Sequence, residues 1–148
     1  MSTLDREFVQ GKLEHLLKDL ELLKPIAAMR IGDYHADVYR QKAAERLLQT
    51  VVEAATDINA HLLAAADKPS PQNYFESFIE VSSRLRVFDR RFAQSIAPST
   101  GLRNRIVHEY AELDAAVVFN SIRNLLKLYP RYVRFVTAYL TAQDTKEN

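Results

Sequence analysis

The chain has no cysteine, which removes at once a disulfide scaffold, a thiol nucleophile and any zinc or iron–sulfur site held by thiolates. Its three glycines, Gly11, Gly32 and Gly101, are too scattered to write a phosphate-cradling P-loop or a dinucleotide fingerprint, and no serine stands in a glycine-flanked elbow. No apolar run approaches the roughly 20 residues of a membrane-spanning helix. The opening MSTLDREFVQ is acidic and polar where a signal peptide is basic and then apolar. A cytoplasmic protein with no membrane partner is the expectation. The four histidines, 15, 35, 61 and 108, include no pair three or four apart, so neither a helix-borne zinc site nor any other metal or cofactor is expected.

What remains is a 148-residue chain, 47% hydrophobic, with a formal net charge of +1. That is one domain, residues 1–148, with no internal repeat or linker. A chain of this length buries about two-thirds of the surface its unfolded form exposes and needs no covalent staple. The neutrality argues against a nucleic-acid partner only until it is divided. Residues 1–83 hold nine Lys+Arg against thirteen Asp+Glu, residues 84–134 hold ten against four, and residues 135–148 hold one against two. Nine of the ten cations in the middle block are arginine, whose planar fork grips phosphate in two places. That block is either a phosphate-facing surface or a solvated helix face answering the acidic half.

The apolar residues recur at three and four throughout, with no sustained alternation, so the fold class is all-α: an up-down bundle of four to five helices. Leu4, Phe8, Leu13, Leu16, Leu20 and Leu23 mark a first helix capped by Ser2 or Thr3 and interrupted near Pro25. A turn is expected at Ile31-Gly32-Asp33. Tyr39, Ala43, Leu47, Val51, Ala54, Ile58, Leu62 and Ala65 form one stripe, predicting a long second helix from about Asp33 to Ala66, roughly 50 Å in length. Asp67 to Pro71 ends it, Tyr74 starts the next, and Phe88, Phe92 and Ile96 begin a fourth. Pro98 and Gly101 punctuate that helix before Leu102. Asp114 caps a last helix, kinked or restarted at Pro130, and residues 141–148 read as a loose tail.

One segment carries chemistry, Gly101-Leu-Arg-Asn-Arg-Ile-Val-His-Glu-Tyr110. Thirteen arginines and four histidines in random order give about 0.35 occurrences of the Arg103–His108 spacing, and requiring Tyr110 lowers this to roughly 0.02. Arg30 and His35 share the spacing but lack the tyrosine. On a helix, Arg103, Val107 and Tyr110 share one stripe and Asn104 and His108 the next, so Arg103 and His108 flank one groove and Asn104 can orient the imidazole. Histidine is the usual proton shuttle at neutral pH and arginine the permanent cation that stabilises a phosphorane-like charge. Together they suffice to cleave RNA without metal. The bland alternative is a helix-surface arginine and a buried, hydrogen-bonded histidine.

Two further sets lie on helix faces. Glu53, Asp57 and His61 share a stripe of the second helix and can pair with Arg103 or Arg105 to shape the cleft, or form a solvated face. Arg105 and the stripe Arg123, Lys127, Arg131 and Arg134 suit an RNA backbone, giving salt-sensitive affinity with little sequence preference, or an ordinary exposed face.

The stretch RNRIVHEY resembles the signature of the HEPN superfamily and specifically its HepT-like toxins. The runs AAERLLQTVVEAATDINAHLL, PSPQNYFESF and GLRNRIVHEY resemble the same family in the same order, over about residues 34–140. The resemblance implies an all-α bundle and a homodimer whose two motif helices face each other across a composite cleft. It also implies a metal-independent RNase acting on RNA, with tRNA as one candidate and DNA not expected. It further implies a cognate nucleotidyltransferase antitoxin of the MntA type that adds AMP to the motif tyrosine. Carried onto this chain, Arg103 and His108 are the catalytic pair and Tyr110 the modified residue; residues 1–33 carry no signature. The expected function is therefore an RNase toxin silenced by adenylylation. The alternative is a non-catalytic helical partner that regulates a nucleotidyltransferase.

Overall fold

In the computed structural model, residues 3–108 and 112–147 are described, and among them seven helices and no strands are found. The first, α1 (Arg6–Ala27), opens at Asp5, whose carboxylate accepts a hydrogen bond from the Phe8 backbone N–H at 3.0 Å. The cap is thus Asp5 and not Thr3; Ser2 lies outside the described residues. Pro25 does not interrupt the helix, which ends two residues beyond it at Ala27. A proline so near a helix end removes a hydrogen bond only in the final turns.

The expected turn at Ile31-Gly32-Asp33 is a short helix, α2 (Ile31–His35). Glycine and aspartate are poor helix formers, but Tyr34 is fully buried, its ring centroid 4.8 Å from that of Phe119. That burial outweighs local preference. The long helix α3 (Val38–Ala65) consequently starts later than expected, at an Asp37 cap that accepts from the Arg40 N–H at 3.0 Å. Its 28 residues span about 42 Å. The first half of its buried stripe is Ala44 and Leu48 rather than Tyr39, Ala43 and Leu47, and Tyr39 is 89% exposed. From Val51 onward the stripe runs as expected through Ala54, Ile58 and Leu62.

Asp67 ends α3 in the left-handed region at φ 58°, and the Lys68 N–H returns to the Leu63 carbonyl at 2.9 Å, a Schellman closure. Next come α4 (Tyr74–Ser83), capped by Asn73, α5 (Arg90–Ile96), capped by Asp89, and α6 (Ser99–His108). The single fourth helix of the sequence reading is therefore two. The break falls at Pro98, and Gly101 lies inside α6. The last helix, α7 (Ala115–Glu147), begins beside Asp114, whose carboxylate accepts from the Ala116 N–H at 2.9 Å. It continues through Pro130 without restarting, and residues 141–147 are helical rather than a loose tail.

Cross-helix contacts set the directions. Asp5 N–H donates to His61, Lys12 pairs with Asp57, and Thr50 donates to Asp19; the falling partner numbers make α1 antiparallel to α3. Tyr34 meets Phe119, Tyr132 meets Ala55 and Asn59, and Arg6 meets Leu140 and Asp144, so α7 runs parallel to α3. The core between them holds Leu16, Leu23, Ile58, Phe78, Ile122, Tyr129 and Tyr132.

Candidate active site on helix α6

Helix α6 is fixed at its start. The Ser99 hydroxyl donates to the Ile96 carbonyl at 2.7 Å and lies 2.7 Å from the buried Tyr129 hydroxyl, while Thr100 donates to the Ala97 carbonyl at 2.8 Å. Burial pushes the Tyr129 phenol well above its ordinary pKa, against the opposing hydrogen bond from Ser99. These contacts set the rotation of α6, and the rotation turns Arg103 inward.

Arg103 sits between three groups. Its Nη2 reaches Oε2 of Glu53 on α3 at 3.3 Å, its Nη1 reaches Oδ1 of Asn104 at 3.2 Å, and its guanidinium carbon lies 4.9 Å from the centroid of the Tyr74 ring. The side chain is 15% exposed, and its Nε is buried with no hydrogen-bond partner among the described residues. A guanidinium held by a carboxylate on one edge and an aromatic face is a cation of fixed position. Asn104 gives its side-chain carbonyl to Arg103, and among the described residues no hydrogen bond joins it to His108.

His108 is the last residue of α6 and is exposed. It makes no hydrogen bond or ion pair among the described residues. Five residues of helix separate it from Arg103, about 7.5 Å along the axis and about 140° around it. Tyr110 lies outside the described residues.

The other acidic candidates divide. Glu53 joins Arg103, but Asp57 pairs with Lys12 at 2.9 Å, and His61 accepts from the Asp5 N–H at 2.9 Å with its ring 5.1 Å from that of Phe8. Both tie α3 to α1 rather than to the cleft. The basic candidates remain on the surface. Arg105 lines a groove of about 490 Å³ between α6 and α7 with Ser121 and Asn124. Arg123, Lys127, Arg131 and Arg134 are exposed along α7, with Arg131 lying 4.8 Å over the Phe92 ring and Arg123 5.9 Å from the Phe119 ring. Among the described residues no cluster of His, Asp and Glu is arranged to hold a metal. Nor is any helix among the described residues long and apolar enough to cross a membrane.

Tyr74 was not singled out by the sequence. Its place in the NYFESF run reads as the first apolar position of a helix, yet it is 40% exposed and backs Arg103. A buried polar chain fixes it: Tyr132 OH lies 2.7 Å from Asn59 Oδ1, Asn59 Nδ2 donates to Ser77 Oγ at 3.1 Å, and Ser77 Oγ donates to the Tyr74 carbonyl at 2.7 Å.

Residues 16–136 match the model of the family described as Ribonuclease HepT-like. The chain belongs to this family. A HepT-like relative, the tRNA nuclease HepT of Aphanizomenon flos-aquae, is 37% identical over 148 residues, covering the whole of both chains. Among solved structures, the cytosolic protein of unknown function YutE from Bacillus subtilis superposes with a TM-score of 0.84 at 15% identity, over 97% of this chain and 95% of its own. A tri-AMPylated HEPN toxin of Shewanella oneidensis, solved in complex with MNT antitoxin, superposes with a TM-score of 0.80 at 19% identity, over 90% of this chain and 99% of its own. These two likenesses show a shared all-helical fold.

Proposed function

We propose that this HepT-like chain is a metal-independent ribonuclease toxin of a toxin–antitoxin pair, acting as a homodimer on RNA, with tRNA a candidate substrate. The observation that carries the reading is the fixed Arg103, held by Glu53 and backed by Tyr74, on the helix that ends in an exposed His108. Arg103 neutralises the phosphate in the transition state. The RNA 2′-hydroxyl attacks the adjacent phosphorus and loses its proton to an imidazole; the P–O5′ bond breaks and the departing oxygen takes a proton. Two proton transfers call for two imidazoles or one used twice. A dimer with facing α6 helices supplies two copies of His108, and the 140° divergence within one helix is no obstacle when Arg103 and His108 come from different protomers. Arg105, Arg123, Lys127, Arg131 and Arg134 hold the RNA backbone.

Silencing follows from the same site. The Tyr110 phenol attacks the α-phosphorus of ATP on a cognate nucleotidyltransferase of the MntA type, losing its proton as pyrophosphate leaves. The attached phosphate adds negative charge and bulk to the motif and repels the substrate backbone. The AMPylated Shewanella toxin, similar in fold, supports this silencing, and the name of the Aphanizomenon relative, a tRNA nuclease, supports the ribonuclease reading.

The test is purified protein with tRNA in EDTA, wild type beside His108→Ala. Cleavage is expected to fall about 10²- to 10⁴-fold with the fold retained. Full activity in the variant overturns the mechanism. No cleavage by the wild type at any concentration favours a non-catalytic partner that regulates a nucleotidyltransferase.

A further inference from the structure

A groove of about 720 Å³ runs between the start of α4 and α6, lined by Asn73, Tyr74, Phe75, Thr100, Gly101 and Asn104. Two of these residues, Tyr74 and Asn104, also touch the Arg103 guanidinium, so the groove opens directly beside the cation. Phe75 is 42% exposed and is not among the hydrophobic residues packed against the core. Its ring therefore offers the groove a flat apolar face, beside the Arg103 guanidinium, on which a base can stack. At Gly101 a Cβ would meet nothing within 4 Å, so that wall is open. The side-chain carbonyls of Asn73 and Asn104 are engaged by the Glu76 N–H and by Arg103, which leaves their NH2 groups as donors for the edge of a base.

We infer that this groove is a nucleobase subsite, in which Phe75 stacks on an unpaired base next to the phosphate held at Arg103. The inference rests on the ribonuclease reading and narrows its substrate class. A base can enter the groove only when it is free of its duplex, because A-form RNA keeps its bases stacked inside. The substrate is then RNA with single-stranded nucleotides at the cut, and helical RNA is spared. Stacking tolerates any base, so the subsite selects for unpairedness more than for sequence.

The test uses the full chain with single-stranded RNA carrying 2-aminopurine, whose fluorescence is quenched by stacking, and unlabelled single-stranded and duplex RNA of the same sequence. In the His108→Ala background, which holds RNA without cutting it, quenching is expected on binding and is lost in His108→Ala/Phe75→Ala. In the otherwise native chain, Phe75→Ala is expected to lower kcat/KM on the single strand about 5- to 150-fold, Phe75→Trp to restore it, and the duplex to be a poor substrate throughout. Equal quenching with and without the Phe75 ring overturns the subsite, whether or not the protein cleaves RNA. Quenching that depends on Phe75 without cleavage by the native chain supports the subsite and removes the ribonuclease reading. Sedimentation showing that Phe75→Ala dissociates a dimer means that a second copy of the chain covers the ring, which also overturns the subsite.

Discussion

Nη2 of Arg103 lies 3.3 Å from Oε2 of Glu53, an ion pair joining α6 to α3 across fifty residues of sequence. Its worth lies in position more than in stability. Both side chains are partly buried, Arg103 15% and Glu53 30% exposed, and a long single contact of this kind that keeps one edge in water contributes about 1 kcal/mol. Glu53→Ala is therefore expected to move the urea midpoint little while lowering kcat on RNA about tenfold, because Arg103 loses the group that sets its direction. Glu53→Gln keeps an acceptor oxygen and should retain most of kcat. Single-turnover cleavage by the three proteins checks this; identical rates would show that Glu53 does not position the arginine.

A second prediction concerns the buried polar chain. The Tyr132 hydroxyl lies 2.7 Å from Asn59 Oδ1 and 3.0 Å from the Ala55 carbonyl, all within the core. Tyr132→Phe leaves the Asn59 carbonyl without its donor at a cost of about 1–3 kcal/mol. Because that chain continues through Ser77 to the Tyr74 carbonyl, cleavage should weaken with stability, whereas Tyr39→Phe, at an 89% exposed position, should change neither. Urea denaturation and cleavage rates on the same preparations decide it.

Tyr34 presents the opposite case, a buried hydroxyl with no hydrogen-bond partner among the described residues. Burial, with a smaller contribution from the Glu45 carboxylate, pushes its pKa up to about 12. Tyr34→Phe removes the orphaned group and should raise stability by about 1 kcal/mol at pH 8. The sign at high pH follows from linkage. The unfolded tyrosine ionises near its ordinary pKa of about 10 while the folded one stays protonated, so the folded state loses ground as pH rises from about 10 towards about 12. The phenylalanine variant lacks that share of the loss. Urea midpoints at pH 8 and pH 11 should therefore diverge further between the two proteins at the higher pH.

For regulation, Tyr110→Phe should cleave RNA at close to the native rate and yet resist silencing by a cognate nucleotidyltransferase with ATP. Incorporation of radiolabelled AMP would vanish in that variant. Silencing that persists would move the switch to another residue.

How much of this was legible in the sequence depends on the range of the interaction. The apolar period located α1, α3, α4 and α7, and ran α5 and α6 together as one helix, because burial repeats along the chain itself. The short α2 escaped because Tyr34 is held by Phe119, eighty-five residues away. Capping was legible at Asp114 but not at Asp5 or Asp37, where several polar residues compete for one position. Glu53, Asp57 and His61 share a stripe only loosely, since each step of four residues drifts about 40° around the helix. Across eight residues the drift carries the face from α6, where Glu53 meets Arg103, round to α1, where Lys12 and Asp5 take the other two. Tyr74 was hidden by its residue type, because an aromatic at the start of an amphipathic helix reads as core until the guanidinium above it is seen.

Arg6 binds the Asp144 carboxylate at 2.6 Å and the Leu140 carbonyl at 3.0 Å, so the first turn of α1 and the last turns of α7 are neighbours. The run of α7 from Ala115 to Leu140 and Asp144 carries that junction about 40 Å from the start of α7. Either end is thus a remote handle for a dye, a surface tether or a fused domain. Joining the two ends by a short linker and reopening the chain at Lys68–Ser70, on the exposed α3–α4 connection, should give a permuted protein with an undisturbed cleft.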